Sequence, residues 1–151
     1  MRINFLNLGR QYLSIKNEID SAIGLNRVHD VIKEMIKSGK TIKGANVLIL
    51  GITFKEDCPD IRNTKVIEIV EELNGLGVII DVYDPWVDSK EECKWYKHRI
   101  IDNPLKSDKQ YDAIIVAVGH KEFRNYTDDD YIRLSNDKTV VIDVRNIVKN
   151  P

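Results

Sequence analysis

The chain has 151 residues, of which 42% are hydrophobic and 31% charged, the balance of an ordinary globular protein long enough to bury one core. Its 23 basic and 24 acidic side chains leave a net charge of -1, so nothing in the charge balance recruits a polyanion, and nucleic acid drops out as an expected partner. No stretch approaches the roughly 18 apolar residues that span a bilayer and the amino terminus lacks the pattern of a secretory leader, so a cytoplasmic location with no membrane partner is expected.

Residues 1–25 find no strand or helix partner in the pattern that follows them and read as an extra segment, either a helix or a disordered tail. Val28, Val31, Ile32, Met35 and Ile36 make the apolar stripe of an amphipathic helix running into Gly39, and residues 26–44 are read as a connecting helix packed against a sheet. From Asn46 the run N-V-L-I-L-G is short, continuously apolar and closed by Gly51, as for a strand buried on both faces. Val66, Ile69, Val70 and Leu73 then recur at helical spacing, with Asn63 or Thr64 able to cap the start and Gly75 and Gly77 ending the helix. A second strand, Val78 to Tyr83, stops at Asp84-Pro85, where proline has no amide proton for a ladder.

A charged helical stretch from Asp88 to Tyr96 and a brief strand near Arg99 to Ile101 come next. Ala113 to Val118 and Thr139 to Val144 are again buried-strand runs, with a helix between them near Asp128 to Leu134. The acidic triplet Asp128, Asp129 and Asp130 suits the positive end of that helix's dipole. Strands alternating with helices in this way call for right-handed crossovers, hence an α/β fold: a Rossmann-like, doubly wound parallel sheet in a single domain over residues 45–151, with an N-terminal helical extension. Ligands of such sheets bind beyond the carboxyl ends of the strands, which directs attention to the residues after Gly51, Tyr83, Val118 and Ile142.

The loop after the first of these strands, Gly51 to Thr64, is densely charged. A Rossmann phosphate turn needs glycine at the positions of Gly51, Thr53 and Glu56, and only the first is glycine, so a dinucleotide is not expected in this turn. Lys55 and Arg62 are groups that grip phosphate or carboxylate, and equally groups that pair with Asp57 and Asp60 inside the loop. Arg145, just past the last strand, adds a third cation on the same edge. Cys58 near these cations invites a nucleophilic reading, but no histidine base is close in sequence and it reads as a loop cysteine without catalytic duty. Cys58 and Cys93 lack the spacing of a zinc or redox site, and His29, His98 and His120 are scattered, so they read as surface or hydrogen-bonded imidazoles and no metal is expected.

The stretch G-I-T-F-K-E-D-C-P-D-I-R-N-T-K-V, followed by D-V-Y-D-P-W and V-I-D-V-R-N, resembles the carboxy-terminal domain of the UDP-glucose/GDP-mannose dehydrogenase family. Within that family it is most similar to the branch acting on UDP-N-acetylglucosamine or UDP-N-acetylgalactosamine in bacterial surface-polysaccharide pathways. The resemblance runs from about Val28 to Pro151 and makes residues 45–151 a UDP-binding domain. It implies that Phe54, Lys55 and Arg145 bind the UDP-sugar, and that Arg62 faces an NAD held by another domain. The helix from Val28 to Lys37 then corresponds to the tail of the family's central helix. Family members use a cysteine in a G-G-x-C-x-P-x-D motif as covalent nucleophile through two hydride transfers to NAD. This sequence contains neither that motif nor G-x-G-x-x-G, and Cys58 does not match it.

Residues 1–25 are instead similar to the opening of PLP-dependent sugar aminotransferases, as a gene rearrangement or truncation would produce. The expectation is a UDP-sugar-binding domain that is inactive by itself and binds no NAD alone. The alternatives are half of a split dehydrogenase, active only with a missing N-terminal half, and a non-catalytic remnant that self-associates as a homodimer.

Overall fold

The computed structural model describes residues 4–7, 23–61, 64–87 and 99–148. In chain order these form β1 (Asn4–Asn7), α1 (Ile23–Lys37), β2 (Asn46–Leu50), α2 (Val66–Gly75), β3 (Ile79–Tyr83), β4 (Arg99–Ile100), a 3-10 turn (Pro104–Lys106), β5 (Tyr111–Val116), α3 (Lys121–Arg124), α4 (Asp128–Leu134) and β6 (Ser135–Asp143). All six strands join one parallel sheet in the order β1-β6-β5-β2-β3-β4.

The apolar runs go where the sequence pattern sends them. Val47, Leu48, Ile49 and Leu50 are all fully buried, because β2 lies mid-sheet with packing on both faces. Val47, Ile49, Ala113, Ile115, Val140 and Ile142 face α1 and α2, which contribute Val28, Val31, Met35, Val66, Ile69, Val70 and Leu73. Leu48, Leu50, Ile114, Val116 and Val141 face the other way, against Phe123, Tyr126, Tyr131 and Leu134. Each such side chain contributes roughly 1.5–3 kcal/mol relative to exposure, so two filled faces are what hold the strands side by side.

Helix ends and strand ends are fixed by polar groups. The Thr127 side chain accepts from the Asp130 amide at 3.3 Å and the Asp130 carboxylate accepts from the Thr127 amide at 2.8 Å, a capping box that starts α4. Thr64 Oγ1 accepts from the Val66 amide at 3.3 Å at the start of α2, while Asn63 lies outside the described residues. At the leading edge of the sheet Asp112 accepts from the Asn46 amide at 2.8 Å, from Asn136 Nδ2 at 2.7 Å and from Lys40 Nζ at 3.0 Å. Burial alone pushes the Asp112 carboxyl up, but these three hydrogen bonds and the Lys40 charge outweigh it and hold the carboxyl below its ordinary range. On β3 the buried Asp81 takes Lys109 Nζ at 2.7 Å and the Tyr111 hydroxyl at 2.8 Å, tying the entry of β5 back across β2.

Two differences from the sequence reading stand out. Residues 4–7, expected to have no partner, form an edge strand in register with β6, Asn4 opposite Val140 and Asn7 opposite Asp143. The outer edge of β6 offers an unpaired row of backbone groups, and a short strand satisfies it. The last strand also starts four residues earlier than its apolar run, at Ser135, because its polar beginning is fastened by Asn136 and by Thr139, whose hydroxyl donates to the Tyr111 carbonyl at 2.7 Å. The helix expected over Asp88 to Tyr96 lies outside the described residues.

Candidate functional site

A parallel sheet gathers every strand exit on one edge. Here β2 leads through α2 to β3 on one side, while β5 leads through α3 and α4 to β6 on the other, so the chain changes direction between β2 and β5. A crevice opens at such a switch point. Gly51 sits at this switch point at φ 96, and a Cβ there would stand 2.5 Å from Val118 Cβ, so the exits of β2 and β5 approach as closely as only glycine allows.

The loop leaving β2 is pinned first by Asp84, at the end of β3. Its Oδ2 accepts from the Ile52 amide at 2.8 Å and the Thr53 amide at 3.2 Å, and its Oδ1 accepts from the Trp86 amide at 2.8 Å. In a dinucleotide-binding turn such strand-exit amides meet a pyrophosphate; here an internal carboxylate fills that place. A Rossmann-type NAD therefore does not fit this turn, in keeping with Thr53 and Glu56 standing where glycines are needed.

His120, after the exit of β5, is fully buried beneath the same loop. Its Nε2 lies 2.9 Å from Asp84 Oδ2 and 3.0 Å from Thr53 Oγ1, and its Nδ1 accepts from the Asp57 amide at 2.9 Å. Asp57 Oδ1 in turn accepts from the Lys121 amide at 2.9 Å. Trp86 stacks on the imidazole, donates its indole N–H to Glu122 at 3.1 Å, and carries Lys121 Nζ over its ring at 5.2 Å from the centroid. Phe123, Tyr83, Tyr126 and Tyr131 continue as an edge-to-face ladder below. Burial, and then the charges of Glu122, Asp84 and Asp102, raise the Tyr83 hydroxyl pKa, so this ring stays an uncharged packing surface.

Above these supports the loop shows its side chains to solvent. Phe54 is 54% exposed and Lys55 is exposed beside it. The loop closes on itself through the Phe54 amide, which donates to the Asp60 carbonyl at 2.7 Å, and through Thr53 Oγ1, which donates to the Lys55 carbonyl at 2.9 Å. Arg145 follows β6, one strand beyond β5, and its Nε donates to the Ala117 carbonyl at 3.0 Å. Arg124 makes the same contact with the Gly119 carbonyl at 3.0 Å. Both guanidinium groups are thus fastened by Nε to one three-residue segment. A Cβ on Gly119 would stand 3.3 Å from an Arg124 Nη and 3.6 Å from Glu56 Oε2, which brings the β2 loop to that segment too. Among the described residues, no ion pair engages Lys55, Arg124 or Arg145.

Of the residues singled out in the sequence, Phe54, Lys55 and Arg145 lie on one rim, on exits of strands separated by β5 alone, and Arg62 lies outside the described residues. Cys58 is a half-buried free thiol, while Cys93 and His98 lie outside the described residues. Asp84, His120 and Arg124 were not singled out. Asp84 and His120 are 36 positions apart, and the available signal was only that each follows a buried-strand run, in D-P and G-H.

Residues 48–150 match the UDP-binding domain of the UDP-glucose/GDP-mannose dehydrogenase family. Among curated relatives, the UDP-N-acetyl-D-glucosamine 6-dehydrogenase of Salmonella typhi is 45% identical over 118 residues, 78% of this chain and 27% of that protein. Protein CapL of Staphylococcus aureus is 42% identical over 121 residues, 80% of this chain and 28% of its own. The chain thus spans a little over a quarter of the length of these relatives. Similar solved structures include the UDP-N-acetyl-mannosamine dehydrogenase Cap5O from Staphylococcus aureus, with TM-score 0.68 and 27% identity over 89% of this chain and 29% of that one. Another is the NDP-N-acetyl-D-galactosaminuronic acid dehydrogenase from Methanosarcina mazei Go1, with TM-score 0.71 and 25% identity over 82% of this chain and 26% of that one. A parallel sheet with this switch-point loop, matched over most of its length, makes the chain a member of the UDP-glucose/GDP-mannose dehydrogenase family, carrying that family's carboxy-terminal UDP-binding domain.

Proposed function

We propose that the chain is the UDP-sugar-holding part of a nucleotide-sugar 6-dehydrogenase of bacterial polysaccharide biosynthesis in the cytoplasm, with a UDP-N-acetylhexosamine as substrate class. The observation that carries this reading is the exposed Phe54-Lys55 pair sharing a rim with an Arg145 whose guanidinium is fastened at Nε and engaged by no carboxylate among the described residues. An ammonium and an oriented guanidinium fork suit a diphosphate, and a flat exposed ring suits the apolar face of a base or sugar. The names of the similar proteins support the hexosamine class.

Arg62 is assigned to the nicotinamide cofactor of a companion domain, as the family resemblance implies. Held there, NAD would supply the hydride acceptor for the sugar's oxidation. The residues of this chain hold and orient the sugar nucleotide, and they include no cysteine in the family's nucleophile motif. The 151 residues taken alone are therefore assigned binding without oxidation. Weak affinity is expected, since half the enclosing surface comes from elsewhere.

Calorimetric titration with UDP and with UDP-N-acetylglucosamine tests the reading. Binding is expected in the millimolar range or tighter, and Lys55→Ala and Arg145→Ala are each expected to weaken it about tenfold, the worth of one charge-assisted hydrogen bond. No heat at millimolar ligand, or equal heats from both variants and the parent, overturns it. Mixing the chain with an N-terminal half of a relative and following NADH absorbance separates a pure binding domain from half of a split enzyme, and light scattering reports whether the chain pairs with itself.

A further inference from the structure

We propose that His120 is the positioning residue of the substrate loop: its two ring nitrogens tie the loop's first turn, through Asp84, and the loop's crest, at the Asp57 amide, to one rigid ring, and so set where Phe54 and Lys55 stand. The ligand in this statement rests on the UDP-sugar reading above; the tie itself does not.

The hydrogen-bond directions fix the ring's role. The Asp57 amide can only donate, so Nδ1 receives it and carries no proton. The ring proton then sits on Nε2, aimed at Asp84 Oδ2, 2.9 Å away. Thr53 Oγ1, 3.0 Å from the same nitrogen, spends its own proton on the Lys55 carbonyl and so also presents a lone pair to Nε2. Asp84 Oδ2 meanwhile holds the Ile52 and Thr53 amides. One imidazole thus links positions 52, 53 and 57 of the loop, and the exposed residues 54, 55 and 56 lie between its two attachments.

The crest needs holding. Asp57 has φ 54, a left-handed backbone that a non-glycine residue adopts at a cost. Its amide bond to Nδ1 and its carboxylate bond from the Lys121 amide are the contacts that offset this. His120 itself has no freedom to drift: it is fully buried, with Trp86 stacked at 6.2 Å and Phe123 tilted against it at 5.7 Å between ring centroids. A group so completely enclosed touches no ligand. Its effect on binding passes through the loop.

Two substitutions separate the two nitrogens. Glutamine places an amide N–H near the position of Nε2 and keeps the Asp84 bond, whereas asparagine places an amide oxygen near the position of Nδ1 and keeps the Asp57 bond. In the full chain, His120→Gln is expected to speed amide exchange at Asp57 about tenfold while the amides of β2 and β5 stay protected. Its dissociation constant for UDP is expected to rise about tenfold, and His120→Asn is expected to recover most of both losses. The proposal is overturned if His120→Gln exchanges at Asp57 like the parent, or if both variants lose protection equally throughout the sheet, which marks a packing role. Nitrogen NMR of the parent chain decides without any variant: a protonated Nδ1 on His120 sinks the assignment. Failure of the parent to bind UDP defeats the binding reading alone, because the exchange contrast at Asp57 still reads the tie.

Discussion

Gly51 shows how tightly single atoms define this site. At φ 96 a side chain is strained in any surroundings, and here its Cβ would also overlap Val118 Cβ at 2.5 Å. Gly51→Ala is therefore expected to destabilise the chain by roughly 2–4 kcal/mol, the left-handed cost plus that of an overpacked contact. A denaturant midpoint unchanged from the parent would mean that the exits of β2 and β5 are free to separate. Such residue-scale features were unequally legible in the sequence. Gly51 closes an apolar run and announces itself, Lys55 and Arg145 stand out as cations just past strand ends, and Phe54 was reached only through resemblance to a family. Asp84 and His120 were not, because a carboxylate that replaces a phosphate is recognised only once Ile52, Thr53 and the imidazole are seen around it. A one-dimensional pattern records spacing along the chain, and the meeting of positions 84 and 120 is a property of strand order.

At the level of elements, the leading ends of β2, β5 and β6 are joined by Asp112, Asn46, Asn136 and Lys40 rather than by apolar packing. The Asp112 carboxyl is held below the ordinary value of 3.8, so the unfolded chain binds its proton before the folded one does. That contribution to stability is complete above 3.8 and is lost as the pH falls below it, through the lowered folded value. Asp112→Asn is expected to flatten the acid limb of the stability profile and to lower stability at neutral pH by about 1–3 kcal/mol, since Lys40 loses its carboxylate. Urea midpoints of both chains across pH 3 to 7 check this, and parallel acid limbs would remove Asp112 from the account. Strands β2, β3 and β5 and helix α2 were readable because burial on one stripe or both faces writes itself into apolar spacing. The polar start of β6 was not, since Ser135, Asn136, Asp137 and Lys138 look like a turn and are strand only because Asp112 and the Tyr111 carbonyl hold Asn136 and Thr139.

For the molecule as a whole, the site depends on an edge far from it in sequence. Arg145 leaves from the end of β6, and β6 is flanked by β5 on one side and by β1 on the other. β1 lies well before residues 48–150, the span matched by the family's UDP-binding domain, yet its four residues run in register from Val140 to Asp143, the stretch leading into Arg145. An exposed strand edge of that length invites pairing with another chain, and β1 occupies it. Deleting residues 1–7 is therefore expected to cost a few kcal/mol, at about 1 kcal/mol for each ladder bond lost. It is also expected to promote association through the uncovered edge of β6, seen as a molar mass that rises with loading more steeply than the parent's in light scattering. Because Lys55 stands on the loop that leaves β2 and keeps its supports at Asp84 and His120, UDP binding by the shortened chain should weaken only through Arg145, by no more than Arg145→Ala does by itself. A larger loss would mean that β1 steadies the whole rim rather than one strand of it, and an unchanged midpoint and mass would mean that β6 tolerates an open edge.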